Sequence, residues 1–246
     1  MTTLSGKTAV VTGAAGTLGL AVVRGLLEDG AQVALVDVDA MRLDSLIRFL
    51  RGTVVAVPCD VSESGAVRQA CQQIEKVLGP VDILVNNAGI DSSAKAEVAT
   101  DQEWRRVLAV NLDGAFYWAR AAAPSMKKRG WGRIVNVSSL AAKGSDLGSG
   151  AAYAASKGAI ASFTFSLARD LAASGVTVNA VSAACVKTSE MEQMNDAQRR
   201  QLLTQIPVGR FCEPEEFAHA VRFLVSPLAG FITGEILDVN GGMLMD

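Results

Sequence analysis

Three places in this 246-residue sequence hold residues whose types and spacing could do chemistry. The first is TGAAGTLG, residues 12–19, directly after the apolar run Thr8-Ala-Val-Val. Glycine lets a backbone turn tightly and lets a phosphate approach, and a helix N-terminus offers that anion free N–H groups and a positive dipole. The second is Asp37, which ends another apolar run 18 residues beyond Gly19. The third is Tyr153 with Lys157, four residues on. On a helix this pair shares one face. A free phenol has a pKa of about 10, and bringing it near neutrality takes roughly 4 kcal/mol of preferential stabilisation of the anion. A nearby ammonium works in that direction. A phenol so tuned can take a proton from an alcohol or return one to a carbonyl.

Other chemistries have less support. His219 is the only histidine and sits in the helix-like segment EEFAHAVRFL, with no nucleophile motif beside it, so a structural role is expected. Cys59, Cys71, Cys185 and Cys212 stand far apart without metal-ligand or CxxC spacing and read as buried or half-buried free thiols. Formal net charge is −2 with Lys and Arg dispersed, which is no footprint for nucleic acid. Neither a signal peptide nor a membrane span is expected.

The elements that must position these residues follow from periodicity. Strands are expected at 8–12, 32–37, 54–58, 82–86, 132–138, 176–181 and 235–239. Helices are expected near 17–29, 40–50, 63–78, 101–129, 153–173 and 213–225. Continuous β-branched runs separated by helices indicate a parallel sheet buried on both faces. The fold class expected is α/β, a Rossmann-type doubly wound seven-stranded parallel sheet with helices on both faces, forming one domain over 1–246. Such sheets bind ligands at the carboxyl ends of their strands. There stand the glycine loop, Asp37, Asp60, Asn86-Asn-Ala-Gly89, Ser138-Ser-Leu and the segment leading to Thr188.

A glycine loop followed by an acidic residue at the end of the next strand is the dinucleotide fingerprint, with the carboxylate on the adenosine ribose hydroxyls. A 2′-phosphate would meet that carboxylate with no base among Ala14, Ala15 and Gly16, so NAD is expected over NADP. The alternative for Asp37 is a solvated strand-end residue or a helix cap.

Together, Asn86-Asn-Ala-Gly89, Ser139 with Tyr153-Ala-Ala-Ser-Lys157, and Pro207-Val-Gly-Arg210 running into GFITGEILDVNGG resemble the short-chain dehydrogenase/reductase family in its short, single-domain branch. The resemblance runs from Lys7 to Gly242. It implies catalytic residues Asn111, Ser139, Tyr153 and Lys157. Tyr153 is the acid/base, Ser139 bonds the substrate oxygen, and Lys157 holds the nicotinamide ribose and lowers the Tyr153 pKa. Asn111 distorts its helix and supports a water-mediated relay. Cofactor contacts are implied for Gly13, Gly16, Thr17, Leu18, Gly19, Asp37, Asp60, Val61, Asn87, Ala88, Gly89, Val186 and Thr188, with Asn87 also bracing the central strand. Ser138 is an adjacent competitor for the role of Ser139.

Three departures stand out. The branch loop reads TGxxxGxG, whereas here Thr17 occupies the middle glycine position and glycine has moved to 16. Ala183-Ala184 replaces the usual Pro-Gly, which predicts an altered or more mobile turn beside the nicotinamide. Thirteen residues separate Ser139 from Tyr153, one more than expected for the branch.

Residues 188–210 are expected to form a substrate loop and short mobile helical lid. Lys143, Asp146, Asp91 and Ser92 hint at a hydroxylated or anionic substrate such as a polyol or sugar acid, and ordinary solvated loop residues explain them as well. The helices near 101–129 and 153–173 are apolar around much of their circumference, and the resemblance implies a homotetramer. The resulting expectation is a cytoplasmic NAD-dependent oxidoreductase acting on a secondary alcohol. The rivals are an NADPH-dependent reductase of the 3-oxoacyl carrier-protein type, and a catalytically silent nucleotide-binding scaffold. An epimerase or dehydratase is supported only by glycine spacing.

Overall fold

The computed structural model describes residues 3–144, 148–188, 191 and 194–245. Seven strands form one all-parallel sheet: β1 (Thr8–Thr12), β2 (Gln32–Asp37), β3 (Val54–Pro58), β4 (Ile83–Asn86), β5 (Gly132–Ser139), β6 (Val176–Ala183) and β7 (Ile236–Val239). Their order is β3-β2-β1-β4-β5-β6-β7. The chain winds outwards in both directions from the β1–β4 boundary, with Val10 opposite Ala34 on one side and Leu84 on the other. This seven-stranded parallel arrangement is the one expected, with strand ends displaced by at most two residues.

Alternation along β1 shows why both faces must be covered. Ala9 and Val11 join one core layer, and Val10 joins the other. Helices α1 (Thr17–Glu28), α2 (Ala40–Ile47) and α8 (Pro214–Val225) cover the first face, packing Leu26, Leu43 and Phe217. Helices α3 (Ser64–Leu78), α5 (Gly114–Arg129) and α6 (Ala151–Leu171) cover the second around Ile74, Trp118 and Met126.

The segment expected as one helix over 101–129 is divided. Helix α4 (Asp101–Leu108) starts at Thr100, whose side chain accepts from the Glu103 N–H. A π-helical turn, Ala109–Asp113, then joins it to α5. Such widened turns cluster at functional sites, and Asn111 occupies its centre. Within the expected lid, α7 (Asp196–Leu203) begins at Asn195 with a capping box closed by Gln198. Residues 189, 190, 192 and 193 of that segment lie outside the described residues.

α6 is seated on the sheet by a buried polar chain. Asn86 Nδ2 donates to Asn136 Oδ1 at 2.8 Å, and Asn136 Nδ2 donates to the Thr164 hydroxyl at 2.9 Å. Thr164 in turn donates to the Ile160 carbonyl. Ser138 adds a bond from its hydroxyl to the Lys157 carbonyl at 3.1 Å.

Candidate active site

The crevice opens where the strand order turns back, at the carboxyl ends of β1 and β4. Two glycines allow its floor to form. Gly13 has φ +63°, and a Cβ there would lie 2.8 Å from Ala88 Cα. A Cβ on Gly19 would lie 2.2 Å from the Gly13 carbonyl oxygen. Gly16 is different: its φ is −76°, and a Cβ would rest 3.4 Å from that same oxygen. The displaced glycine is therefore the one the loop does not need. Thr17, Leu18 and Gly19 form the first turn of α1, where backbone N–H groups lack intrahelical partners.

These five residues line a cavity of about 290 Å³ together with Asp37, Ala88 and Gly89. Asp37 Oδ2 accepts from the Ala15 N–H at 3.0 Å, and Oδ1 from the Asp39 N–H at 3.1 Å. Arg42, in the first turn of α2, lines the same cavity. The sequence reading sought a base only inside the glycine loop and missed it. Its signal was its place on the helix that follows Asp37. Asp60 and Val61 line an adjoining cavity of about 140 Å³ with Arg106. Asp60 accepts from the Ser62 hydroxyl at 2.6 Å and faces the Arg106 guanidinium at 3.5 Å.

Asn87 ties the two central strands. Its Nδ2 donates to the Thr12 and Gly13 carbonyls at 2.9 and 3.1 Å, and its N–H to the Thr12 hydroxyl at 3.0 Å. Thr12, which also accepts from the Ala88 N–H, is a bracing residue that sequence reasoning overlooked.

A larger cavity of about 450 Å³ holds Ser139, Tyr153 and Lys157 in its wall, with Val186 and Thr188 opposite. Ser139 hydrogen-bonds Tyr153, whereas Ser138 is committed to the Lys157 carbonyl. That geometry separates the two adjacent serines. Lys157 Nζ donates to the Val137 carbonyl at 2.8 Å and stands 5.6 Å from the Tyr153 ring centroid. Burial pulls the Lys157 ammonium down to about 8, with Asp91 pulling the other way.

Asn111 joins three elements from the π turn. Its Oδ1 accepts from the Ile90 N–H at 2.8 Å, while Nδ2 donates to the Ile90 carbonyl and the Ser156 hydroxyl, each at 3.0 Å. Ser156 donates onward to the Tyr153 carbonyl at 2.7 Å. A Cβ on Gly89 would sit 3.4 Å from Asn111 Oδ1 and 3.5 Å from Lys157 Nζ, so all three meet at one point.

One expectation is corrected here. Lys157 was expected to lower the Tyr153 pKa, yet the phenol lies above its ordinary value. Burial is the main cause, the Ser139 hydrogen bond opposes it, and the Asp91 charge adds to it.

A family model described as enoyl-(acyl carrier protein) reductase matches residues 13–244. The chain belongs to the short-chain dehydrogenase/reductase family. This short-chain dehydrogenase is 38% identical to the 3-oxoacyl-[acyl-carrier-protein] reductase FabG of Vibrio cholerae, over 98% of this chain and 99% of that one. It is 36% identical to FabG of Escherichia coli K12, over 98% of each. It is 35% identical to FabG of Rickettsia conorii over the full length of both. The crystal structure of gox2181 superposes with a TM-score of 0.94 at 33% identity, covering 98% of this chain and 96% of that one.

In this short-chain dehydrogenase the turn after β6 carries its strain one residue late. Cys185 has φ +52°, the left-handed region, alone among the described non-glycine residues. Ala184 is buried, and its N–H donates to the Val239 carbonyl at 3.1 Å. Ala183, Ala184 and Cys185 all line the larger cavity.

The residues that hinted at a polyol or sugar acid are distributed as follows. Lys143 is paired with Asp238 at 2.6 Å. Ser92 is buried and donates to Glu103 at 2.5 Å. Asp146 lies outside the described residues, and of the other three only Asp91 lines the cavity. Ile90, Met191, Met194 and Leu202 give the wall an apolar stretch, with Ser149 among the polar lining residues. His219 is exposed on α8, and the cysteines are free, two buried and two half-buried. Among the described residues no helix is long and apolar enough to cross a membrane.

Proposed function

We propose that this protein is a nicotinamide-dependent oxidoreductase that interconverts a secondary alcohol and its ketone, with Tyr153 as the acid/base and an apolar-substituted ketone as the favoured substrate. The observation that carries the reading is the convergence of Ser139, Tyr153 and Lys157 on one cavity, beside a glycine floor too tight for any side chain. When bound, the cofactor supplies or accepts the hydride. The glycine loop, Asn87, Ala88, Gly89, Val186 and Thr188 hold it, with Asp60 and Val61 at the adenine end. Ser139 donates to the substrate oxygen. Tyr153, kept protonated by burial, delivers its proton to that oxygen as the carbonyl is reduced. Lys157 keeps a cation at the ribose side, and Asn111 with Ser156 fixes the helix turn that presents the phenol.

NAD is the proposed cofactor, because the Asp37 carboxylate stands where a 2′-phosphate would fall. A second reading has its own support: Arg42 shares that cavity, and the relatives are named 3-oxoacyl carrier-protein reductases. It makes the protein an NADPH-dependent reductase of that type. Fluorescence titration with NADH and NADPH side by side, followed by ketone reduction, separates them. Tighter NADH binding supports the first reading, and tighter NADPH binding the second. A protein that binds both and reduces no ketone would overturn the two together.

A homotetramer is also proposed. Phe116 on α5 and Phe165 on α6 are exposed, as are Leu228, Phe231 and Met245 near the carboxyl end. Patches of large apolar residues on a surface mark sites of association.

A further inference from the structure

Only two charged side chains line the larger cavity among the described residues, Asp91 and Lys157. Lys157 is buried and holds the Val137 carbonyl, so it faces the substrate end poorly. Every other described residue that lines it is apolar or neutral. Asp91 is exposed at the rim, directly after Ile90, which Asn111 clamps from both sides.

Its position is fixed by the backbone that follows it. Asp91 Oδ1 accepts from the Ser92 N–H at 2.7 Å. The Gly150 N–H donates to the Ser92 carbonyl, and the Ala151 N–H to the Ala94 carbonyl at 3.2 Å. A Cβ on Gly150 would lie 2.7 Å from the backbone of both Ser92 and Ala94, so this stretch packs at glycine distance on the start of α6. Tyr153 is three residues further along. The carboxylate is thereby held on the cavity that Tyr153 lines, by the start of the same helix that carries the phenol.

We infer that Asp91 sets the charge preference of the substrate pocket, favouring ketones and alcohols that carry a hydrogen-bond donor, above all an ammonium, on the carbon next to the reacting centre, and disfavouring carboxylates there. The electrostatic reach is consistent with this: the Asp91 charge raises the pKa of both Tyr153 and Lys157. An anionic substituent in the same place would face one carboxylate and no uncommitted cation among the lining residues. A donor substituent would meet the free oxygen of Asp91 while its apolar remainder lies against Ile90, Met191 and Leu202.

The inference rests on the reading of this cavity as a carbonyl-reducing site, and the test keeps the two apart. Three matched ketones serve as probes: 2-amino-1-phenylethanone, 2-hydroxy-1-phenylethanone and phenylglyoxylate. For the full-length protein, kcat/KM is expected to fall in that order. In Asp91→Asn, whose amide oxygen can still accept from Ser92, the ammonium-to-carboxylate ratio is expected to drop about fivefold, the upper end for a partly exposed ion pair. Asp91→Glu is expected to restore part of it. Calorimetric binding of the same compounds gives the ranking without turnover. A preserved ranking with no reduction would overturn the reaction and leave the role of Asp91 standing. An ammonium-to-carboxylate ratio equal in wild type and Asp91→Asn, by rate and by binding, would overturn the inference.

Discussion

The Ala15 N–H donates to Asp37 Oδ2 at 3.0 Å, so the glycine loop and the end of β2 share one carboxylate. Asp37 therefore holds the loop, and in the proposed cofactor pose it also stands beside the adenosine ribose. Asp37→Ser is expected to weaken NADH binding about tenfold, the worth of a charge-assisted hydrogen bond, and to narrow or invert the NADH/NADPH preference. Parallel titrations check it, and an unchanged preference would move the ribose assignment to Arg42.

Tyr153→Phe removes the proton donor and little else, because the ring keeps its place. Turnover is expected to drop by about 10²–10⁴-fold, with NADH affinity nearly unchanged. Retention of full turnover by the variant would remove Tyr153 from the mechanism.

Asp91→Asn has a pH signature as well. The Asp91 charge helps hold the Tyr153 phenol in its neutral form. Without it the phenol pKa falls, and the alkaline limb of the ketone-reduction profile is expected to move to lower pH. A profile measured on a neutral ketone with both proteins decides it.

The buried ammonium of Lys157 titrates at about 8 against an ordinary 10.5. Between those values the unfolded chain binds the proton and the folded one does not, so this group's contribution to stability rises with pH through the window. It can amount to about 3 kcal/mol. Chemical unfolding of wild type and Lys157→Met at pH 8 and pH 10.5 isolates it. The difference between them is expected to move towards wild type, and a flat difference would mean that the lysine is solvated as usual.

The glycine loop offers a contrast within four residues. Gly16→Ala is expected to cost about 1 kcal/mol or less, as a helix N-cap change. Gly19→Ala meets a carbonyl oxygen at 2.2 Å, which is expected to cost about 1–3 kcal/mol in overpacking and to weaken cofactor binding more than any other single methyl in the loop. Thermal unfolding and NADH titration of both variants test the ranking.

Phe165→Glu places a charge on the exposed face of α6. If that face is an interface between copies, the variant is expected to sediment as a smaller species than wild type at equal concentration. Identical sedimentation of the two would place the interface elsewhere.

Much of this was legible in residue order. The outer glycines, Asp37 and the Tyr153–Lys157 spacing are local signals, and the parallel sheet follows from runs such as Val33-Ala-Leu-Val36. What was not legible depends on distant partners. Lys143 read as a substrate contact because nothing near it in sequence revealed Asp238, 95 residues away. The π turn at Asn111 lies inside an unbroken helical pattern, and only the bonds to Ile90 and Ser156 explain it. The sign of the Tyr153 shift is a sum over everything packed on the ring, which spacing cannot supply. Arg42 was hidden because an arginine on an amphipathic helix ordinarily faces water.

The amide chain Asn86–Asn136–Thr164 has a consequence for how this protein can change over generations. Each side group bonds the next in a buried layer, so replacing one leaves a neighbour buried and unpaired, at about 1–3 kcal/mol. Replacing all three by apolar groups of like shape escapes that cost. A single exchange is therefore expected to cost more than the triple one. The three positions, on two strands and one helix, therefore act as a unit, and the helix that carries Tyr153 and Lys157 keeps its rotation on the sheet for as long as that unit is intact.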